Sequence, residues 1–235
     1  METLQIVLLC ICSVLAILFT IVRTKWGGHA ALLLKILASF GFVASAFIGI
    51  ATMEVFSEIR LIMGLVGIGL LLGMIGDIVL DLKVIYDNDK VYLNSGMLSF
   101  GLGHVAYFSA FSLLALEHSV DLLMPILVSV GVAIVLTIGI TLSSKKMNLN
   151  FGNFLWQTVA YTFILTFMSA YSLVLFIMGG ANLIVFIGML LFFLSDIVLS
   201  FQYFGGKIAS KPHIAINHIL YYAAQIILLA SIFVL

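Results

Sequence analysis

The chain alternates between long apolar runs and short polar connections. Each run holds roughly 20 apolar residues, the length that a helix needs to cross the hydrocarbon core of a bilayer. Because a strand with open edges would leave backbone groups unpaired in lipid, we predict that the runs are helices. The runs cover residues 4–22, 29–51, 60–82, 93–116, 122–142, 152–178, 182–203 and 213–234. The predicted fold class is an all-α membrane protein with about eight transmembrane helices in one domain, residues 1–235.

Composition and the two prolines support this interpretation. Hydrophobic residues make up 64% of the chain and charged residues 9%, against about 45–50% and about 25% in soluble domains. Pro125 and Pro212, the only prolines, begin the fifth and eighth runs, where a missing N–H costs little. The formal net charge is zero, so nothing indicates a nucleic-acid partner. The sequence assigns no oligomeric state.

Basic residues favour one end of the predicted helices. The odd-numbered connections hold eight Lys and Arg residues, whereas the other connections hold only Arg60. The eight are Arg23, Lys25, Lys83, Lys90, Lys145, Lys146, Lys207 and Lys211. By the positive-inside rule, these connections are predicted to be cytoplasmic and both termini to lie on the other side. The short connections favour a multi-pass protein of a bacterial cell membrane.

The second half of the chain repeats part of the first. Residues 68–82, IGLLLGMIGDIVLDL, align without a gap on residues 187–201, IGMLLFFLSDIVLSF, and this places Asp77 on Asp196. Apolar matches are common between membrane helices, but a matched intramembrane Asp is not. The repeat therefore indicates that the two aspartates are equivalent positions.

The next helix of each half repeats as well, because GHVAYFSAF on the fourth run aligns on NHILYYAAQ on the eighth. The matched polar pairs are His104 with His218 and Tyr107 with Tyr221. An even number of helices separates the copies, so both halves have the same orientation. We therefore predict halves of about residues 1–117 and 118–235, related by a pseudo-twofold axis along the membrane normal.

Asp77 and Asp196 are predicted to lie about 8 to 10 Å from the cytoplasmic ends of their helices. An Asp inside a span costs about 2.5 to 3.5 kcal/mol on insertion scales, so it faces a polar cavity or a partner. Hydrogen bonding to a neighbouring helix is the simpler account. We favour a functional role, because two equivalent copies facing the pseudo-twofold axis would converge on one cavity.

Lys35 is the one basic residue inside a predicted span, at nearly the depth of both aspartates. It is the expected counter-ion of one of them, or a contact for a lipid phosphate, although a Lys at this depth can also extend to the interface. Asp81 lies one turn beyond Asp77, at the cytoplasmic end of the span, where we expect it to be solvated.

Two further groups of side chains lie at matching positions on the fourth and eighth runs. Their i, i+3, i+7 spacing puts each group on one helix face. The groups are His104, Tyr107 and Phe111, and His218, Tyr221 and Gln225. Asn217, Tyr222 and Ser195 add polar groups nearby. We interpret these residues as substrate contacts, with packing between helices as the alternative.

We assign no metal site and no cofactor. Two Asp and two His could supply four ligands, but His213 and His218 are five residues apart and lie on different helix faces.

The motifs of four helices resemble those of the YhhN-type lysoplasmalogenase family. They are G-D-I-V-L on the third run, G-H-V-A-Y on the fourth, S-D-I-V-L on the seventh and Y-Y-A-A-Q on the eighth. The resemblance extends over essentially the whole chain. It implies hydrolysis of the vinyl ether bond of a lysoplasmalogen, a lysophospholipid, to a fatty aldehyde and glycerophosphoethanolamine or glycerophosphocholine. The family's two catalytic aspartates correspond to Asp77 and Asp196.

This chemistry agrees with a site made of two carboxyls. Protonation of the β-carbon of a vinyl ether gives an oxocarbenium ion, which water captures. Two carboxyls sharing a poorly solvated cavity cannot both ionise easily, so one is expected to act as the acid and the other as the anion. Because the headgroup stays at the interface, the topology predicts that substrate reaches the site from the cytoplasmic leaflet.

Two other classes of function remain open from the sequence. Duplicated helix bundles with intramembrane acidic residues also describe proton- or ion-coupled transporters. A membrane zinc hydrolase of the alkaline ceramidase type would activate water with a metal ion.

Overall fold

The structure is a computed structural model that describes residues 3–52, 57–83, 86, 89–205 and 210–234. Within them, all regular secondary structure is helical. The eight long helices are α1 (Thr3–Lys25), α2 (Gly28–Ala51), α3 (Glu58–Leu82), α4 (Asp89–Glu117), α5 (Leu123–Ser143), α6 (Leu155–Ile177), α7 (Leu183–Phe204) and α8 (Lys211–Val234). A short 3-10 helix, Gly152–Phe154, precedes α6. Each of these eight helices is long and apolar enough to cross a membrane, so the prediction of an all-α membrane protein with about eight transmembrane helices is confirmed.

The helix ends follow local sequence. Gly27 and Gly28 have φ angles of 66° and 71°, a region that glycine enters at low cost, and they let the chain reverse between α1 and α2. Pro125 and Pro212 lie in the first turns of α5 and α8, as predicted. Lys207, one of the basic residues behind the predicted sidedness, lies outside the described residues. The orientation of the termini stays a prediction.

The outer faces of the helices carry large apolar side chains. Val135 and Leu142 on α5 are 70% and 73% exposed, and Trp156 on α6 is 78% exposed. Exposed apolar surface on this scale is unfavourable in water and ordinary in lipid, where only the backbone must be satisfied within the helix. The chain is a multi-pass membrane protein.

The described helices belong to two compact units. The first holds residues 1–110 and 225–235, and the second holds residues 111–224. In the first unit α2 packs against both α1 and α3, and in the second α6 packs against both α5 and α7. The predicted division near residue 117 and the pseudo-twofold axis stay predictions.

Within the first unit, α3 and α4 approach closely through glycine. A Cβ atom on Gly76 would lie 2.7 Å from the Phe100 ring, and one on Gly69 would meet the Tyr107 ring. The hydroxyl of Ser99 on α4 donates a hydrogen bond to the Leu72 carbonyl on α3, at 2.7 Å. Small residues and interhelical hydrogen bonds of this kind hold helices together where lipid provides no hydrophobic driving force.

Candidate active site

Asp77 lies on α3 and is only 3% exposed. The ammonium nitrogen of Lys35 lies 3.1 Å from its Oδ1, and the hydroxyl of Ser39 donates to its Oδ2 at 2.9 Å. Lys35 and Ser39 are one turn apart on α2, so both side chains project from the same face towards α3. Lys35 is therefore the counter-ion of Asp77, which is one of the two roles that its depth predicted.

Asp81 is not solvated, and the expectation that it would be was wrong. It is 2% exposed, and its Oδ1 lies 3.2 Å from Lys35 Nζ and 3.3 Å from Arg23 Nη2. The side chains from α1 and α2 cover the last turn of α3. The end of α3 is therefore buried by α1 and α2, although it lies near the end of a membrane span.

Arg23, Lys35, Asp77 and Asp81 form what we call the charge cluster. Each carboxylate contacts a cation, and Lys35 lies between the two carboxylates. An unpaired buried charge costs several kcal/mol, so the alternation of two cations and two anions keeps the cluster tolerable in a lipid-embedded protein. The cluster joins α1, α2 and α3 at the ends near the α1–α2 and α3–α4 connections.

Asp196 on α7 has different surroundings and is half-buried. The phenol of Tyr161 on α6 donates to its Oδ2 at 2.5 Å, and the hydroxyl of Ser195 lies 3.2 Å from its Oδ1. The side-chain amide of Asn217 on α8 donates to the Ser195 carbonyl at 2.8 Å. Tyr161 and Ser195 thus place two neutral hydroxyls at this carboxyl, and Asn217 ties the backbone beside it to α8.

The two polar groups of α4 and α8 lie on buried faces. Their six members, His104, Tyr107, Phe111, His218, Tyr221 and Gln225, are each at most 6% exposed, and Tyr222 is 3% exposed. Nδ1 of His104 lies 2.8 Å from the Phe100 carbonyl, one turn earlier on the same helix. The rings of Tyr221 and Phe192 pack edge to face, with their centroids 5.5 Å apart. The role of these residues as substrate contacts stays a prediction.

The described part of the chain contains no group of three or more His, Cys, Asp or Glu side chains arranged to hold a metal ion.

Sequence reasoning missed four residues of these sites. The sequence did indicate Asp81 and Ser39, since Asp81 lies four residues from Asp77 and Ser39 lies four residues from Lys35. Residues at this spacing share a helix face. Arg23 was counted only as a topological charge, and Tyr161 is a tyrosine in an apolar run without a distinguishing pattern. Asp77 lies in the first unit and Asp196 in the second, and their predicted shared cavity stays a prediction.

Comparison with known proteins identifies one family. The model of the YhhN family matches residues 30–232, which is most of the chain. The searches of curated proteins and of solved structures found no match. The matched range includes Lys35 and both aspartates of the repeat, and it covers seven of the eight helices almost completely. The chain therefore belongs to the YhhN family, which is the lysoplasmalogenase family.

Proposed function

We propose that this protein hydrolyses the vinyl ether bond of lysoplasmalogens, with Asp77 and Asp196 as its catalytic carboxyls. The observation that carries the proposal is the buried ion pair of Lys35 with Asp77, 3.1 Å apart inside a membrane-spanning helix pair. Ionisable groups inside a membrane are expensive and are characteristic of functional sites. Family membership supports a lysoplasmalogenase-like reaction, and the sequence repeat makes Asp196 the counterpart of Asp77.

The reaction needs a proton donor and an anion. The acid transfers its proton to the β-carbon of the vinyl ether, and the α-carbon becomes an oxocarbenium ion. Water adds to that carbon and loses a proton, giving a hemiacetal that collapses to a fatty aldehyde and the glycerol hydroxyl. A nearby carboxylate stabilises the positive charge and accepts the proton from water.

We assign the anion to Asp77. It is paired with the Lys35 ammonium and accepts a hydrogen bond from Ser39, so both of its oxygens are engaged as acceptors. A carboxylate held in this way is a poor proton donor and a well-fixed negative charge. Electrostatic groups that are already oriented before the reaction stabilise a developing cation without reorganisation.

We assign the acid to Asp196. Its Oδ2 accepts a hydrogen bond from Tyr161. The hydroxyl of Ser195 lies 2.7 Å from the Phe192 carbonyl and 3.2 Å from Asp196 Oδ1. A hydroxyl has one proton. With that proton on the Phe192 carbonyl, Ser195 can accept a hydrogen bond from a protonated Oδ1, which fits a general acid.

The remaining predicted contacts have supporting roles in the proposal. The buried groups of α4 and α8 would orient water and the ether oxygen, and they comprise His104, Tyr107, His218, Tyr221, Tyr222, Gln225 and Asn217. Lys35 would fix Asp77. The substrate would reach the site from the cytoplasmic leaflet, with its phosphate at the interface and its vinyl ether below.

The test is release of fatty aldehyde from a lysoplasmenylethanolamine by the purified protein. Asp77→Asn and Asp196→Asn are each expected to abolish release while the variants still fold. The double variant should be no worse than either single variant, because residues that act as a unit are non-additive. Asp121→Asn, which changes an exposed Asp, is the matched control. Full activity in either single variant would disprove the two-carboxyl mechanism, and no release by the wild type would disprove the reaction.

A further inference from the structure

We propose that Arg23 binds the phosphate of the lysophospholipid headgroup, an inference that rests on the proposed function. Arg23 lies in the last turn of α1, and its side chain is 11% exposed. Its Nη2 atom lies 3.3 Å from Oδ1 of Asp81. The ion pair fixes the guanidinium at the outer end of the charge cluster, which also comprises Lys35 and Asp77.

The guanidinium has hydrogen-bonding capacity to spare. Arginine carries five N–H donors in a planar fork, and among the described residues Arg23 uses one donor group, towards Asp81. A planar fork matches two phosphate oxygens, which makes Arg the usual residue for recognising phosphate. Its remaining donors are therefore available to a diester phosphate at the membrane surface.

An acceptor lies beside these donors. Oδ2 of Asp81 is buried and has no hydrogen-bond partner among the described residues, although buried polar atoms in native proteins are nearly always paired. A lysolipid headgroup carries both required complements, since its phosphate is an acceptor and its glycerol hydroxyl is a donor. Arg23 thus offers donors to the phosphate, and Asp81 offers an acceptor to the glycerol hydroxyl.

The order of these residues along the helices agrees with the geometry of a lysolipid. Arg23 lies two residues before the end of α1, and Asp81 lies one residue before the end of α3. Asp77 is one turn deeper, about 6 Å along the helix axis. In a lysolipid the phosphate stays at the interface and the vinyl ether lies a few bonds deeper. Arg23 is therefore placed for the phosphate and Asp77 for the reacting bond.

Lys25 provides a matched control for the charge. It lies on the same helix end but is exposed, and its ammonium lies 5.8 Å from the centre of the Trp26 ring. Loss of either residue removes one positive charge from the same helix end. Of the two, only Arg23 belongs to the charge cluster, so a specific phosphate site predicts different results for the two variants.

The first experiment compares lysoplasmenylethanolamine with a 1-O-alkenylglycerol, which has the same vinyl ether and no phosphate. Arg23→Gln should raise KM for the phospholipid about tenfold or more and raise KM for alkenylglycerol much less, because only the phospholipid loses a charge-assisted hydrogen bond. Arg23→Lys should fall between the wild type and Arg23→Gln. Lys25→Gln should leave both substrates unchanged. Equal losses on both substrates, or no change in KM, would overturn the phosphate site.

The second experiment does not need turnover. A non-hydrolysable 1-O-alkyl lysophosphoethanolamine should raise the Tm of the wild type and of Lys25→Gln, and raise the Tm of Arg23→Gln less. Inorganic phosphate at the same concentration should give no such stabilisation. Equal stabilisation of the wild type and Arg23→Gln, or equal stabilisation by inorganic phosphate, would overturn the inference. If the lipid result is as expected but no aldehyde forms, the proposed reaction fails while the phosphate site stands.

Discussion

The ammonium of Lys35 lies 3.1 Å from Asp77 and 3.2 Å from Asp81, so one cation joins two carboxylates on successive turns of α3. Spacing of four residues brings both carboxylates to the helix face that meets α2. The arrangement makes Lys35 important for folding and, in the proposed reaction, for the position of Asp77.

Replacement of Lys35 should strongly destabilise the protein. Lys35→Met leaves Asp77 without its cation and Asp81 with Arg23 alone, and breaking a buried pair in this way costs about 3 to 5 kcal/mol. Thermal unfolding in detergent should reveal a large drop in Tm. The double variant Lys35→Met with Asp77→Asn should recover part of it, since the uncompensated charge is gone and Asp81 keeps its pair with Arg23. Lys25→Met, which alters an exposed Lys, is the control, and an equal drop there would contradict the role of the cluster.

Ser39 should affect the rate of aldehyde release because its hydroxyl orients Asp77. Ser39→Ala removes the hydrogen bond to Asp77 Oδ2, 2.9 Å long, and bonds to charged groups are worth about 1.5 to 3 kcal/mol. We expect kcat for aldehyde release to fall about tenfold or more. Ser45→Ala on the same helix is the control, because Ser45 donates to the Gly41 carbonyl of its own helix. Similar kinetics for the two variants would count against an oriented Asp77.

Tyr161 should control the reactivity of Asp196. Tyr161→Phe removes the donor that lies 2.5 Å from Oδ2, and we expect kcat to fall about tenfold or more with little change in KM. Tyr171→Phe removes a different tyrosine hydroxyl from the same helix. The oxygen of that hydroxyl lies 2.8 Å from Ser112 Oγ. That control should retain kcat. A change in KM alone for Tyr161→Phe would point to substrate binding and against acid catalysis.

The close contact between α3 and α4 gives a test of packing. In Gly76→Ala the new methyl would lie 2.7 Å from the Phe100 ring, and overpacking of this kind costs about 1 to 3 kcal/mol. Thermal unfolding should occur at a lower temperature. Gly139→Ala on α5, where no atom lies within 4 Å of the new methyl, should be neutral or slightly stabilising. Equal Tm values for both variants would mean that α3 and α4 separate easily.

Chelators distinguish the proposed reaction from a zinc hydrolase. Acid catalysis by two carboxyls needs no metal, so aldehyde release should be the same before and after dialysis against a chelator. Loss of activity that added zinc restores would support the metal alternative.

The sequence alone predicted the eight helices and their approximate ends, because lipid permits few backbone structures and the length of each span is set by the bilayer. It also singled out Asp77, Asp196 and Lys35, because an ionisable residue is conspicuous in an apolar run. These predictions depend on local properties of the chain, namely the length of each apolar run and the presence of an ionisable residue inside it. Both are visible in the sequence without knowledge of the fold.

The partners of those residues were decided only by tertiary structure. Asp81 looked like a solvated residue at the end of a span, and Arg23 like a topological charge, until the packing of α1, α2 and α3 buried Asp81 and brought Arg23 into the charge cluster. Tyr161 reaches Asp196 from another helix, 35 residues away in the chain. Which helix faces meet depends on packing across many side chains, so a pairing between helices has no signature at either residue alone.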